Sequence, residues 1–227
     1  MSDSSGVGSC LGCSGYCCTV YTVPVIGYDL WRIVQGQQLA PELFVQCQPE
    51  DMPTDTGFLL QARGPTYGLS LRHTPARRNE RPCVFLIHLR DGVYRCGIYA
   101  HRPLVCQTYP MRLNENHLFV RSDALCPPRS WANLERGQAA WRERLLHRQA
   151  EWQRYGEVVR VWNAMVRAGN SQRAFVLDEF LAYLVHAYDR ISSLPAAEVG
   201  ARLALLAQSY AQSGEQRSCA GGEEAST

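Results

Sequence analysis

The chain has 227 residues, 46% of them hydrophobic, which suffices for a buried core and excludes a disordered polypeptide. A net charge of +2, carried by arginines without a single lysine, provides no electrostatic footprint for nucleic acid or a membrane surface. The first nine residues are small and polar, and no apolar run approaches the length of a membrane span, so neither a secretory leader nor a transmembrane helix is expected.

Ten cysteines in such a chain point to a reducing compartment, the cytoplasm, where thiols stay free for metal or redox chemistry rather than pairing as disulfides. The densest group is Cys10-Leu11-Gly12-Cys13-Ser14-Gly15-Tyr16-Cys17-Cys18. Cys10 and Cys13 have the Cys-x-x-Cys spacing at which a tight turn aims two thiolates at one ion. The β-branched run Thr19 to Pro24 predicts an extended segment. In an extended chain the adjacent Cys17 and Cys18 would point to opposite faces, which predicts two centres, or one centre and a neighbour.

Asp29 is placed as the N-cap of a helix from Leu30 to Gln37, and Pro41 as the first turn of a second helix reaching Cys47, whose thiol reads as a buried apolar group. Residues 48–57 read as a loop and Tyr67 to Arg72 as a strand. Asp91-Gly92 between Cys83–Leu89 and Val93–Tyr99 signals a hairpin with Cys83 and Cys96 at its open end. Pro103 opens and Pro110 ends a single helical turn carrying Cys106, a further strand covers Asn116 to Arg121, and Cys126 closes the segment.

Helical periodicity then runs from Ser130 to about Gly169, through Leu134, Trp141, Leu145, Trp152, Tyr155, Val159, Trp162 and Val166. Two more helices are predicted over Val176 to Ile191 and Ala196 to about Gln212. The expected fold is α+β. A small cysteine-rich metal-binding domain of short strands and helices (1–127) precedes a helical extension (128–213) and a disordered tail (214–227).

The candidate metal ligands are Cys10, Cys13, Cys17, Cys18, Cys83, Cys96, Cys106 and Cys126. Eight thiols complete two four-cysteine zinc sites, or one 4Fe-4S cluster with a second site or a cysteine pair, and spacing does not choose between them. His101, near Cys106, reads as hydrogen-bonded rather than ligating. Arg102 has two open readings, a hold on an anion or metal-bound sulfur and a structural ion pair. No Gly-rich phosphate loop, Gly-x-Ser-x-Gly or paired-histidine motif is present, so no catalytic residue is assigned.

Two blocks of residues carry a family resemblance. The first is Cys10, Cys13, Cys17 and Cys18; the second runs through Pro82-Cys83-Val84-Phe85-Leu86, Cys96-Gly97-Ile98-Tyr99, Arg102-Pro103, Cys106, Tyr109-Pro110 and Cys126-Pro127. Together they resemble the YkgJ or CxxCxxCC family of zinc- or iron-chelating domains, over about residues 10 to 127. The resemblance implies eight cysteine ligands. The chain departs from the pattern in placing three residues between Cys13 and Cys17, and in having Gln107 where the family often has arginine. A related cysteine pattern occurs in flagellin lysine N-methylases.

The function expected is metal binding, by zinc or an iron-sulfur cluster, with no biological role defined by the residues. The alternatives are an iron-sulfur-dependent protein-modifying enzyme or oxidoreductase, and an interaction module with structural zinc that uses its tryptophan-lined C-terminal helices to bind a protein partner.

Overall fold

The computed structural model describes residues 15–75, 81–89, 93–115, 117–126, 137–169 and 174–220. Cys10, Cys13, the Asp91-Gly92 turn and the start of the long helix at Ser130 lie outside them. The architecture is α+β, short strands in small sheets followed by a helical C-terminal region. The chain divides into two compact units, one made of residues 1–47 and 69–152, the other of residues 48–68 and 153–227.

In the first unit, α1 (Tyr16–Val20) is a single short helix. The expected extended segment is therefore shortened to the residues after Val20, where Leu71 donates its N–H to Val23 (2.9 Å) and Val25 donates to Leu69 (3.1 Å). Helix α2 spans Gly27–Gln37 and buries Ile26, Leu30 and Ile33. It starts two residues before the predicted cap, so Asp29 is inside its first turn. There the carboxylate reaches back, Oδ2 accepting the Ile26 N–H at 3.3 Å.

The second predicted helix is only a 3-10 turn over Pro41–Leu43, and β1 (Val45–Pro49) follows. Cys47 is thus on a strand. Its spacing to Leu43 and Phe44 satisfies a helical period, but pairing in a sheet overrides so short a pattern. The sheet has the order β1-β3-β2, with β2 at Phe58–Leu59 and β3 at Thr66–Leu71. As an edge strand, β1 tolerates Pro49, whose missing N–H costs no ladder bond on its open side.

The predicted hairpin is formed by β4 (Leu86–His88) and β5 (Tyr94–Cys96), in the register Leu86↔Cys96, Ile87↔Arg95, His88↔Tyr94. Cys83 lies before the ladder, in an isolated bridge to His73. Helix α3 (Leu104–Thr108) is the predicted single turn, with Pro103 at its N-cap. A second hairpin, β6 (Met111–Asn114) and β7 (His117–Val120), follows. Its inner residues Met111, Leu113, Leu118 and Val120 pack with Trp141 and Leu145 of α4 (Gln138–Ala168).

In the second unit, the later part of α4 presents Trp162 and Asn163 to the backbone of β2. The Trp162 indole donates to Leu59 O (2.7 Å), Asn163 Oδ1 accepts the Leu59 N–H (2.8 Å), and Asn163 Nδ2 donates to Gly57 O (2.9 Å). Phe58 stacks on Phe180 of α5 (Leu177–Ile191) at 3.9 Å between centroids, and Trp162 lies 5.1 Å from both Phe180 and Tyr183. Helix α6 spans Ala196–Ala220 and buries Val199 and Leu203.

Candidate metal centre

Five separate segments of the first unit deliver cysteines to one cavity. Helix α1 carries Cys17 and Cys18. It begins at Gly15 in a left-handed conformation (φ 69°), where a Cβ would stand 2.8 Å from Tyr94 Cβ, so a glycine lets this turn sit directly on β5. The Cys18 carbonyl accepts the Cys83 N–H at 2.8 Å, and the Thr19 carbonyl accepts the Arg81 N–H at 3.1 Å. These bonds hold the segment before β4 against α1. Cys96 ends β5, on the strand that Gly15 touches.

Cys106 rides on α3, whose position is set by a buried carboxylate: Asp29 Oδ1 accepts the Leu104 N–H at 2.8 Å, with Asp29 only 1% exposed. Burial pushes the Asp29 carboxyl up to about 7 against the opposing pull of its two backbone donors and Arg32. Cys126 follows β7 on a segment pinned by two tyrosines. Tyr21 donates to Asp123 O (2.8 Å), Tyr109 Oη accepts the Leu125 N–H (2.6 Å), and the rings meet edge to face at 5.7 Å.

The resulting cavity has a volume of about 340 Å³, and Cys17, Cys18, Cys83, Cys96, Cys106 and Cys126 all line it. Both members of the vicinal pair face it, with Sγ atoms 4.0 Å apart. The expectation of opposite faces rested on extended backbone; in a helix, neighbours differ by about 100° and share a side. Cys17, Cys18, Cys83, Cys96, Cys106 and Cys126 are free thiols, as is Cys47, which is outside the cavity lining.

The protonation of these thiols follows from their mutual contacts. Cys17 is pulled down to about 3 by hydrogen bonds from Cys126 and then Cys18, whereas Cys18 is driven up by that same bond to Cys17 and by burial. Burial raises Cys83 to about 11 and also raises Cys96 and Cys106, with Arg102 opposing the effect at Cys96. The set thus holds one favoured thiolate among neutral thiols, and a bound cation would displace the remaining protons.

Among the described residues, no three His, Cys, Asp or Glu side chains already converge on a single ion position. The donor chemistry nonetheless fits zinc or iron. Six soft sulfurs share the wall, and tetrahedral bonds of about 2.3 Å put two thiolates about 3.8 Å apart, close to the separation in the vicinal pair. Zinc or iron there would add a cross-link among the five segments.

His101 is outside the lining, its Nδ1 3.0 Å from Gln37 Nε2. Arg102 is on the wall, 6% exposed, with Cζ 4.0 Å over the Tyr99 ring. Sequence reasoning missed Arg121 and the tyrosines at 21, 94, 99 and 109, which also line the cavity. All four tyrosines lie within three residues of a ligand candidate, a signal present in the sequence. Locally Asp29 reads as a helix cap, and no neighbouring residue reveals its hold on α3.

Among the described residues, no helix is long and apolar enough to cross a membrane. No curated protein and no solved structure matches the chain. Residues 9–127 match the sequence model of CxxCxxCC, described as "Putative zinc- or iron-chelating domain". With that match covering more than half of its residues and its cysteines, the chain belongs to the CxxCxxCC family.

Proposed function

We propose that the chain is a metal-chelating protein whose centre is the thiol-lined cavity of the first unit. The ligands on this reading are Cys17, Cys18, Cys83, Cys96, Cys106 and Cys126, with Cys10 and Cys13 completing the set from the preceding segment. The observation that carries it is the meeting of six cysteines from five chain segments on one cavity, a placement that apolar packing of thiols does not require. Zinc or iron would supply charge neutralisation and a cross-link on the order of 10 kcal/mol, comparable to the net stability of a domain. The chain's own part is to aim the sulfurs, through Gly15, the Cys18 to Cys83 backbone bond and the Asp29 tether, and to give up thiol protons. A reducing setting such as the cytoplasm keeps the thiols available.

Anaerobic purification with metal and sulfide analysis tests this. Cys96→Ser and Cys106→Ser are expected to lower zinc or iron content, and unchanged stoichiometry in both sinks the assignment. Broad visible absorption with sulfide identifies a cluster; colourless protein holding zinc identifies a structural site.

A further inference from the structure

The residues that follow β3 bring an imidazole to the edge of the metal centre. The Thr74 N–H donates to the Pro82 carbonyl at 2.8 Å and the Val84 N–H to the Arg72 carbonyl at 2.9 Å, which makes His73 and Cys83 a directly opposed antiparallel pair. Opposed residues of such a pair project to the same face, with Cβ atoms about 4.5 to 5.5 Å apart. Cys83 lines the cavity, and so does Leu71, two residues before His73 and therefore on the same face of the chain. His73 is one row beyond the wall, beside a candidate ligand.

Its ring chemistry is that of a ligand. Nδ1 is hydrogen-bonded to the Arg81 carbonyl, which can only accept, so Nδ1 carries the proton and the neutral ring keeps its lone pair on Nε2. Nε2 is buried and has no hydrogen-bond partner among the described residues, where it is the one buried imidazole nitrogen in that state. Unlike a hydroxyl, which rotates to suit its surroundings, a ring fixed at Nδ1 holds its other nitrogen in one direction. Metal-bound histidines are held in this way, one ring N–H given to a backbone carbonyl and the second nitrogen left to coordinate.

We propose that His73 is a ligand of the metal centre, with Nε2 bonded to the ion that Cys83 holds; this role rests on the metal-centre reading and adds nitrogen to its sulfur donors. Bonds of about 2.0 to 2.1 Å to nitrogen and about 2.3 Å to sulfur are within the reach of two side chains opposed across one antiparallel pair. Imidazole suits both zinc and iron.

X-ray absorption at the zinc edge, on the full chain reduced and loaded with zinc, tests this. Wild type is expected to show the outer-shell scattering of an imidazole beside the sulfur shell, and His73→Asn to lose it. Asparagine keeps a donor for the Arg81 carbonyl, so a hydrogen bond that only supports the fold survives in the variant while the ligand does not. Zinc affinity, measured by competition with a chelator, is expected to fall about tenfold or more in His73→Asn. His101→Asn is expected to keep the imidazole signal. A sulfur-only spectrum in wild type, an imidazole signal or zinc affinity unchanged in His73→Asn, or a signal lost in His101→Asn overturns the assignment. Should His73→Asn fail to fold, wild type and His101→Asn decide. A chain that binds zinc through sulfur alone refutes the role of His73 and leaves the metal-centre reading standing, whereas a chain that takes up no zinc refutes that reading and the role of His73 with it.

Discussion

Replacing Asp29 by asparagine should remove a loss of stability that the wild type undergoes as pH rises from about 4 to about 7. The native carboxyl, buried beside the α3 N-terminus, holds its proton to about 7, while the unfolded one releases it near 3.8. Between these values the native state binds more protons than the unfolded state, so stability falls as pH rises. At 1.36 kcal/mol per unit, the loss is about 4 kcal/mol, developed between about pH 4 and pH 7, of which about 3 kcal/mol remains to be lost above pH 5. Arg32, Glu151 and Cys106 also act electrostatically on or near this group, and all three are retained in the variant. Asparagine mimics the protonated acid. Its amide oxygen can keep the 2.8 Å bond from Leu104 N–H, at the cost of the longer bond to Ile26. Urea unfolding of reduced wild type and Asp29→Asn across that pH range measures the difference directly, because thiol titration is common to both. Wild type is expected to lose about 3 kcal/mol relative to the variant between pH 5 and pH 8. A constant difference over the range refutes the reasoning.

Other outcomes follow from the same contacts. Gly15→Ala forces a side chain into a left-handed turn and against Tyr94, so it should cost about 1 kcal/mol or more and lower metal content; full metal loading with unchanged melting argues against Gly15 setting the position of α1. Asn163→Ala strands the Leu59 N–H and Gly57 carbonyl, and about 2 to 4 kcal/mol should be lost in denaturant unfolding. Phe180→Ala removes the ring that stacks on Phe58 and packs tilted against Trp162, and should cost about 3 to 5 kcal/mol by the same assay, a loss under 1 kcal/mol being incompatible with a packed cluster. Binding of zinc or iron should release protons, detectable as a heat that varies with buffer ionisation enthalpy; a buffer-independent heat contradicts the neutral state of Cys83, Cys96 and Cys106.

Local chemistry made some elements legible in advance. Pro103 and Pro110 bracket α3 as proline rules require, and alternation around Asp91-Gly92 located β4 and β5. Long apolar periodicity located α4 and α5. Short elements were not legible. Five residues of α1 are too few for a period to show, and Thr19 and Val20 have strand propensities that a tertiary seat on β5 overrules. The same limit turned β1 into a predicted helix. Cysteine spacing named the ligand candidates, yet their meeting depends on bonds across the chain, such as Cys83 to Cys18 and Leu104 to Asp29, which no window of sequence contains.

The packing of β6 and β7 on α4 also constrains the order of events during synthesis. Every cysteine lining the cavity has been made by residue 126, but Met111, Leu113, Leu118 and Val120 find their cover only in Trp141 and Leu145. A nascent chain therefore holds its sulfurs before α4 covers the hairpin that precedes Cys126. During that interval the thiols are open to oxidation or to the wrong metal, and a supply of reductant matters most while the ribosome is still adding α4.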